Sequence, residues 1–188
     1  MRTSKPRIAP IAVEDLTEEQ REAAAPMLAS GRFLNIFATL VHAPKALTRF
    51  NEWGSYVLSR RNSLTPRDRE IVILRVGYLC KSGYEFTQHT AIGLREGLSR
   101  DEIAAIKAGA DAGGWTAAEQ ALIRAADELV RDHFVSDATW AALRAHYNEK
   151  QCMDVVFTAG QYTQVSMFLN SFGVQLEPGA VLDPDLKG

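Results

Sequence analysis

Charge of one sign is missing from this sequence. Lysine and arginine total 21 against 23 aspartates and glutamates, a formal net charge of −2, so there is no broad basic field for a phosphate backbone, and nucleic acid is not the expected partner. Cysteine is scarce as well. Cys80 and Cys152 are the only two, too few for a disulfide framework, and a chain of 188 residues buries enough apolar surface to fold without one. Long apolar runs are also absent: the most apolar stretch, Ile71 to Leu74, ends at Arg75, whereas a bilayer span needs about 20 residues. The residues before Glu14 and Asp15 hold no secretory apolar core. These absences predict one cytoplasmic domain with no membrane partner.

Helix punctuation is abundant. Thr17 with Gln20, Ser99 with Glu102, and Thr116 with Glu119 fit the capping box, in which a hydroxyl accepts from an orphan amide and the N3 side chain reaches back. Thr65 before Pro66 marks another start, because proline at the first helical position gives up an amide that had no partner. Gly97, just before Leu98 and the Ser99 cap, reads as the glycine ending a preceding helix. Between these signals apolar residues recur at three and four: Ile103, Ile106 and Ala110; Leu122, Ala125, Ala126 and Leu129; Trp140, Leu143 and Tyr147.

Two segments break this amphipathic pattern. From Pro66 to Leu79 nearly every position after Glu70 is apolar, which predicts a helix surrounded by protein and antiparallel to the one that begins near Ser82. A further helix is expected from about Lys150 to Phe172, packed on several sides. The stretch from 173 to 188, with Pro178, Gly179 and Pro184, is expected to be an irregular arm lying on a neighbouring surface. The reading is an all-α domain spanning 1–188, of about seven to eight helices, with its core at about 33–172.

Histidine is rare, and of His42, His89, His133 and His146 only His89 lies beside other reactive side chains in a predicted helix. Glu85 precedes it by four residues and therefore shares its helix face. Such a carboxylate holds one ring nitrogen, leaves the other for a ligand and raises the imidazole pKa, which suits a general acid or base. Glu and His four apart also occur on solvated helices. Glu70 is a carboxylate in the most apolar helix, where it needs a partner or a function, or else serves the helix N-terminus. Arg75 is expected to pair with Glu70 or Glu85, or to hold a ligand carboxylate. Phe37, Trp53, Tyr84 and residues of the last helix are expected to line a pocket, while Trp53, Tyr56, Phe157 and Phe168 at helical spacing are packing candidates.

The stretch REIVILRVGYLCKSGYEFTQHTAIGLREG from Arg69 to Gly97, followed by the capped LSRDEI, resembles the carboxymuconolactone decarboxylase family, which shares its fold with alkyl hydroperoxide reductase D. The likeness implies an AhpD-like helical bundle and a homo-oligomer, trimer or hexamer. In the hydroperoxidase branch a glutamate, a C-x-x-C pair and a histidine carry the chemistry. Here Glu70 and His89 match the first and last, but the cysteine positions hold Ser82 and Glu85. The E-F-x-x-H of Glu85, Phe86 and His89 resembles the decarboxylase branch instead. That branch implies a small carboxylated lactone as substrate, His89 as proton donor, Glu85 as its orienter, Glu70 as a second carboxylate setting the charge state, Arg75, Tyr84 and Trp53 as substrate contacts, and neither cofactor nor metal. The alternatives are a thiol hydroperoxidase using Cys80 or Cys152, a metal held by Glu70, Glu85 and His89, and a helical oligomer without chemistry.

Overall fold

The computed structural model describes residues 1–187, so the last residue of the expected arm lies outside the described part. Among the described residues there are nine α-helices and no strand: α1 Glu18–Ala29, α2 Asn35–Leu40, α3 Pro44–Leu58, α4 Pro66–Leu79, α5 Gly83–Arg95, α6 Arg100–Ala108, α7 Ala117–Asp132, α8 Asp137–Arg144 and α9 Glu149–Phe172. The count exceeds the expected seven to eight because α2 is a short helix whose start carries no capping side chain and so leaves no mark in the sequence. All three expected capping boxes form, at α1, α6 and α7. A fourth, Asn148 with Gln151, starts α9. Gly97 takes φ +93° while Leu98 N donates to Gly93 O at 2.9 Å, the Schellman closure that turns α5 into α6.

Helix α4 is the hub. Ile71, Val72, Ile73, Leu74 and Val76 have no exposed surface, each contributing about 1.5–3 kcal/mol by burial, and α5, α6, α7 and α9 all pack around them. A sharp turn through Lys81, in the left-handed region at φ 52°, sends α5 back along α4. The two helices run antiparallel: Gly77, near the end of α4, meets Glu85 and Phe86 near the start of α5, and Glu70, nearer the start of α4, meets His89 further along α5.

The tail departs from expectation, because it lies on its own chain. Val174 and Leu186 are buried, Lys107 pairs with Asp183 and Asp185, and Glu177 reaches α2 and α5, accepting from Asn35 N at 3.0 Å and Tyr84 Oη at 2.5 Å. The sequence shows prolines and glycines here but not the apolar anchors' destination. Gly173 makes the turn into this tail at φ +69°, and a Cβ there would stand 2.8 Å from the Lys5 carbonyl, so both conformation and space require glycine.

Candidate functional site

The hairpin of α4 and α5 sets two carboxylates on either side of one imidazole. His89 Nδ1 stands 2.7 Å from Glu70 Oε2 in an aligned hydrogen bond, and Nε2 stands 2.9 Å from Glu85 Oε1. The second contact is looser: Glu85 Oε1 has no well-aligned hydrogen-bond partner. Glu70 is fully buried, Glu85 and His89 nearly so, and the Tyr162 ring on α9 packs edge-on against the imidazole at 4.9 Å. The expected division of labour is thereby shifted. Glu70, from the neighbouring helix, is the tight partner that orients the ring, while Glu85, four residues away, is the adjustable one next to the working nitrogen.

Burial is the strongest single influence on His89 and disfavours its charged form, but the charges of Glu70 and Glu85 together with their hydrogen bonds outweigh it and raise the pKa to about 10. The ring is therefore an imidazolium at neutral pH, charged to give a proton. A folded-state pKa above the unfolded value of about 6.5 means that this stabilisation is complete below pH 6.5 and is lost as pH climbs through about 10. Urea unfolding between these limits should show stability falling with pH. The fall should be markedly shallower in His89→Gln; an identical slope in both proteins would refute the raised pKa.

Glu85 and His89 form part of the wall of a cavity of about 1140 Å³ between α1, α2, α3, α5 and α9. Its inner wall is largely apolar, with Ile36, Phe37, Tyr162 and Val165, and Gln161 adds a buried Oε1 that has no partner. Lys45, Arg32 and Arg95 stand in the same wall with Glu19, Glu22 and Glu52. Tyr84 contributes its ring, but its hydroxyl is committed to Glu177, and burial with that neighbouring carboxylate pushes its pKa well up.

Two expected substrate contacts are not brought here. Arg75 points to the other side of α4, where Nε pairs with Asp127 at 2.5 Å and Nη1 donates to the carbonyls of Ile106 and Lys107 at 2.8 Å. Its register on α4 faces α6 and α7 rather than α5, so neither Glu70, Glu85 nor a ligand in this cavity engages it. Trp53 is 41% exposed, stacked on Tyr56 and edge-on to Phe157. Its neighbours Asn51, Glu52, Gly54 and Ser55 line the cavity, and Trp53 does not.

The last helix supplies Gln161, Tyr162 and Val165 to the wall; the sequence points to that helix but does not single out these residues. They lie in α9, where small and uncharged polar residues are mixed among apolar ones, so its pattern names no single preferred face.

The thiols sit elsewhere. Cys152 is fully buried, and Cys80 caps the C-terminal end of α4 outside the cavity wall. Ser82 and Glu85 occupy the positions where the hydroperoxidase resemblance would place cysteines, and Ser82 is buried with an unpartnered hydroxyl. The three candidate metal ligands do not converge, since each carboxylate takes a different ring nitrogen. Among the described residues no group of three His, Cys, Asp or Glu side chains has the geometry to hold an ion.

A helical bundle around a carboxylate–histidine hairpin defines the class. Residues 44–128, which include Glu70, Glu85 and His89, match the sequence model of the Carboxymuconolactone decarboxylase family, and the fold is AhpD-like. Among solved structures it is similar to the alkylhydroperoxidase AhpD core of an uncharacterized peroxidase-related protein from Ralstonia eutropha JMP134, at 18% identity and TM-score 0.76 over 91% of this chain and 93% of that one. An uncharacterized peroxidase-related protein from Silicibacter sp. TM1040 matches at 14% identity and TM-score 0.72, over 100% and 94%. The debrominase Bmp8, in complex with 2,3,4-tribromopyrrole, matches at 13% identity and TM-score 0.73, over 94% of each chain. No curated protein matches the chain.

Proposed function

We propose that the chain is an acid/base enzyme acting on a small organic acid, with a carboxylated lactone as the expected substrate and loss of carbon dioxide as the expected reaction. The observation that carries this reading is the ring of His89, held between Glu70 and Glu85 in the wall of a largely apolar cavity. When the carbon–carboxylate bond breaks, its electron pair moves into the lactone carbonyl. The apolar wall disfavours the carboxylate in the ground state more than the charge-dispersed transition state, and a nearby cation stabilises the developing enolate oxygen. His89 Nε2 then gives its proton to the carbanionic carbon, solvent restores it, and Glu70 holds the ring throughout.

With Arg75 engaged elsewhere, a substrate carboxylate has Lys45, Arg32 and Arg95 as its available cations. The apolar portion of the substrate then points inward toward Phe37 and Val165. A panel of carboxylated lactones and small keto acids, assayed for carbon dioxide release, tests the reading; failure of every member would count against decarboxylation.

On a substrate that turns over, Glu85→Gln should lower the apparent pKa of the histidine limb in the pH–rate profile, since an amide does not stabilise the imidazolium. The variant with both Cys80→Ser and Cys152→Ser should keep its turnover. A loss of activity there, with helical content unchanged, would put the thiol hydroperoxidase reading first. Self-association is part of the proposal too: Trp53, Leu58, Met153 and Met167 leave apolar surface exposed, and sedimentation at micromolar concentration should give an oligomer.

A further inference from the structure

Helix α9 separates two cavities. Gln161, Tyr162 and Val165 face the His89 cavity, whereas Thr163, Ser166 and Met167, on the opposite side of the helix, line a second, open one of about 580 Å³ that is flanked by the N-terminal segment and the end of α4. No acidic residue lines this second cavity. Arg2 and Arg7 do, and among the described residues the only hydrogen bonds of their guanidinium groups are long ones to backbone carbonyls, Arg2 to Cys80 O at 3.4 Å and Arg7 to Ser171 O at 3.3 Å.

The inner wall is also short of partners. Ser166 is 1% exposed and its hydroxyl has no well-formed hydrogen bond, with the Cys80 thiol as its neighbour. A buried hydroxyl left in this state costs free energy unless something accepts from it. Two guanidiniums without carboxylates, facing the same space, are poised for bidentate binding of an oxyanion.

We propose that this second cavity is a binding site for a small organic oxyanion, a phosphate monoester or a carboxylate, held by Arg2 and Arg7 with Ser166 as the inner donor. The volume exceeds what an inorganic anion fills, leaving room for an organic remainder against Met167. Cys80 takes no chemical part; it reports occupancy. Its thiol is partly accessible whereas Cys152 is fully buried, so a neutral alkylating agent reads Cys80 alone.

The full chain is treated with iodoacetamide, and alkylation of Cys80 is followed by mass spectrometry. Inorganic phosphate, acetate, or chloride at matched ionic strength is titrated in. Phosphate or acetate should slow Cys80 alkylation in a saturable way, chloride should not, and the more effective of the two identifies the headgroup. The variant with both Arg2→Ala and Arg7→Ala should need about tenfold more anion, as expected for losing charge-assisted hydrogen bonds. Ser166→Ala, which leaves the surface charge intact, should weaken protection as well. Equal protection by chloride, no protection by either oxyanion, or unchanged protection in both variants would overturn the assignment. Neither arginine nor Ser166 belongs to the His89 cavity, so this result is independent of the decarboxylation assay.

Discussion

Replacing His89 by alanine is expected to lower turnover by about 10²- to 10⁴-fold, the usual cost of removing a general acid and equivalent to about 3–5 kcal/mol of barrier. The structure adds a second consequence that the helical spacing alone does not carry. With the ring gone, Glu70 and Glu85 face each other across a buried gap with no proton donor between them, and like charges so placed cost stability. His89→Ala should therefore melt at a lower temperature as well as turn over slowly. His89→Gln separates the two effects, since an amide can donate one hydrogen bond to Glu70 yet cannot act as the acid. The expected outcome is a fold closer to wild type with turnover still lost. A wild-type rate in either variant would remove the chemistry from this helix pair.

Arg75→Ala is expected to be the most destabilising single change of a charged residue, by about 3–5 kcal/mol, as for breaking a buried ion pair from one side. Arg75 is 5% exposed. It binds Asp127 of α7 and also satisfies the carbonyls of Ile106 and Lys107 at the end of α6, so its removal leaves Asp127 with only the exposed Arg131 at 3.3 Å and strands two helix-end acceptors. Urea denaturation measures the loss. Adding Asp127→Leu to Arg75→Met should restore part of it, because a packed apolar pair replaces the ion pair while the carbonyls remain unpaired. A loss below about 1 kcal/mol, the range of surface pairs, would refute the structural role. A rise in KM without loss of stability would return Arg75 to the substrate.

Much of the helical frame was legible because its signals are local. A capping box needs only residues three apart, and Thr17, Ser99 and Thr116 each begin a helix where their spacing says. Helix α4 was legible through composition: a segment apolar on all sides must be surrounded, and the Thr65–Pro66 pair marked its first turn. The short α2 was not, having neither cap nor period. The role of the tail was hidden for another reason, since Glu177 and Leu186 acquire meaning only from what they touch, more than 90 residues away for Tyr84.

The candidate site divides the same way. The four-residue step from Glu85 to His89 is a property of any α-helix, so the sequence by itself determined that these side chains share a face, that Glu70 lies on the most buried helix, and that no C-x-x-C pair is available. Tertiary structure decided which carboxylate grips the ring, because Glu70 and His89 are 19 residues apart and meet only when α5 folds back on α4. It also decided that Arg75 serves α6 and α7, that Trp53 turns outward, and that Gln161 and Tyr162 join the wall. A helix as apolar as α4 is buried on nearly every side, so its pattern carries little information about which neighbour each residue meets; that choice is made by the packing of helices distant in the chain.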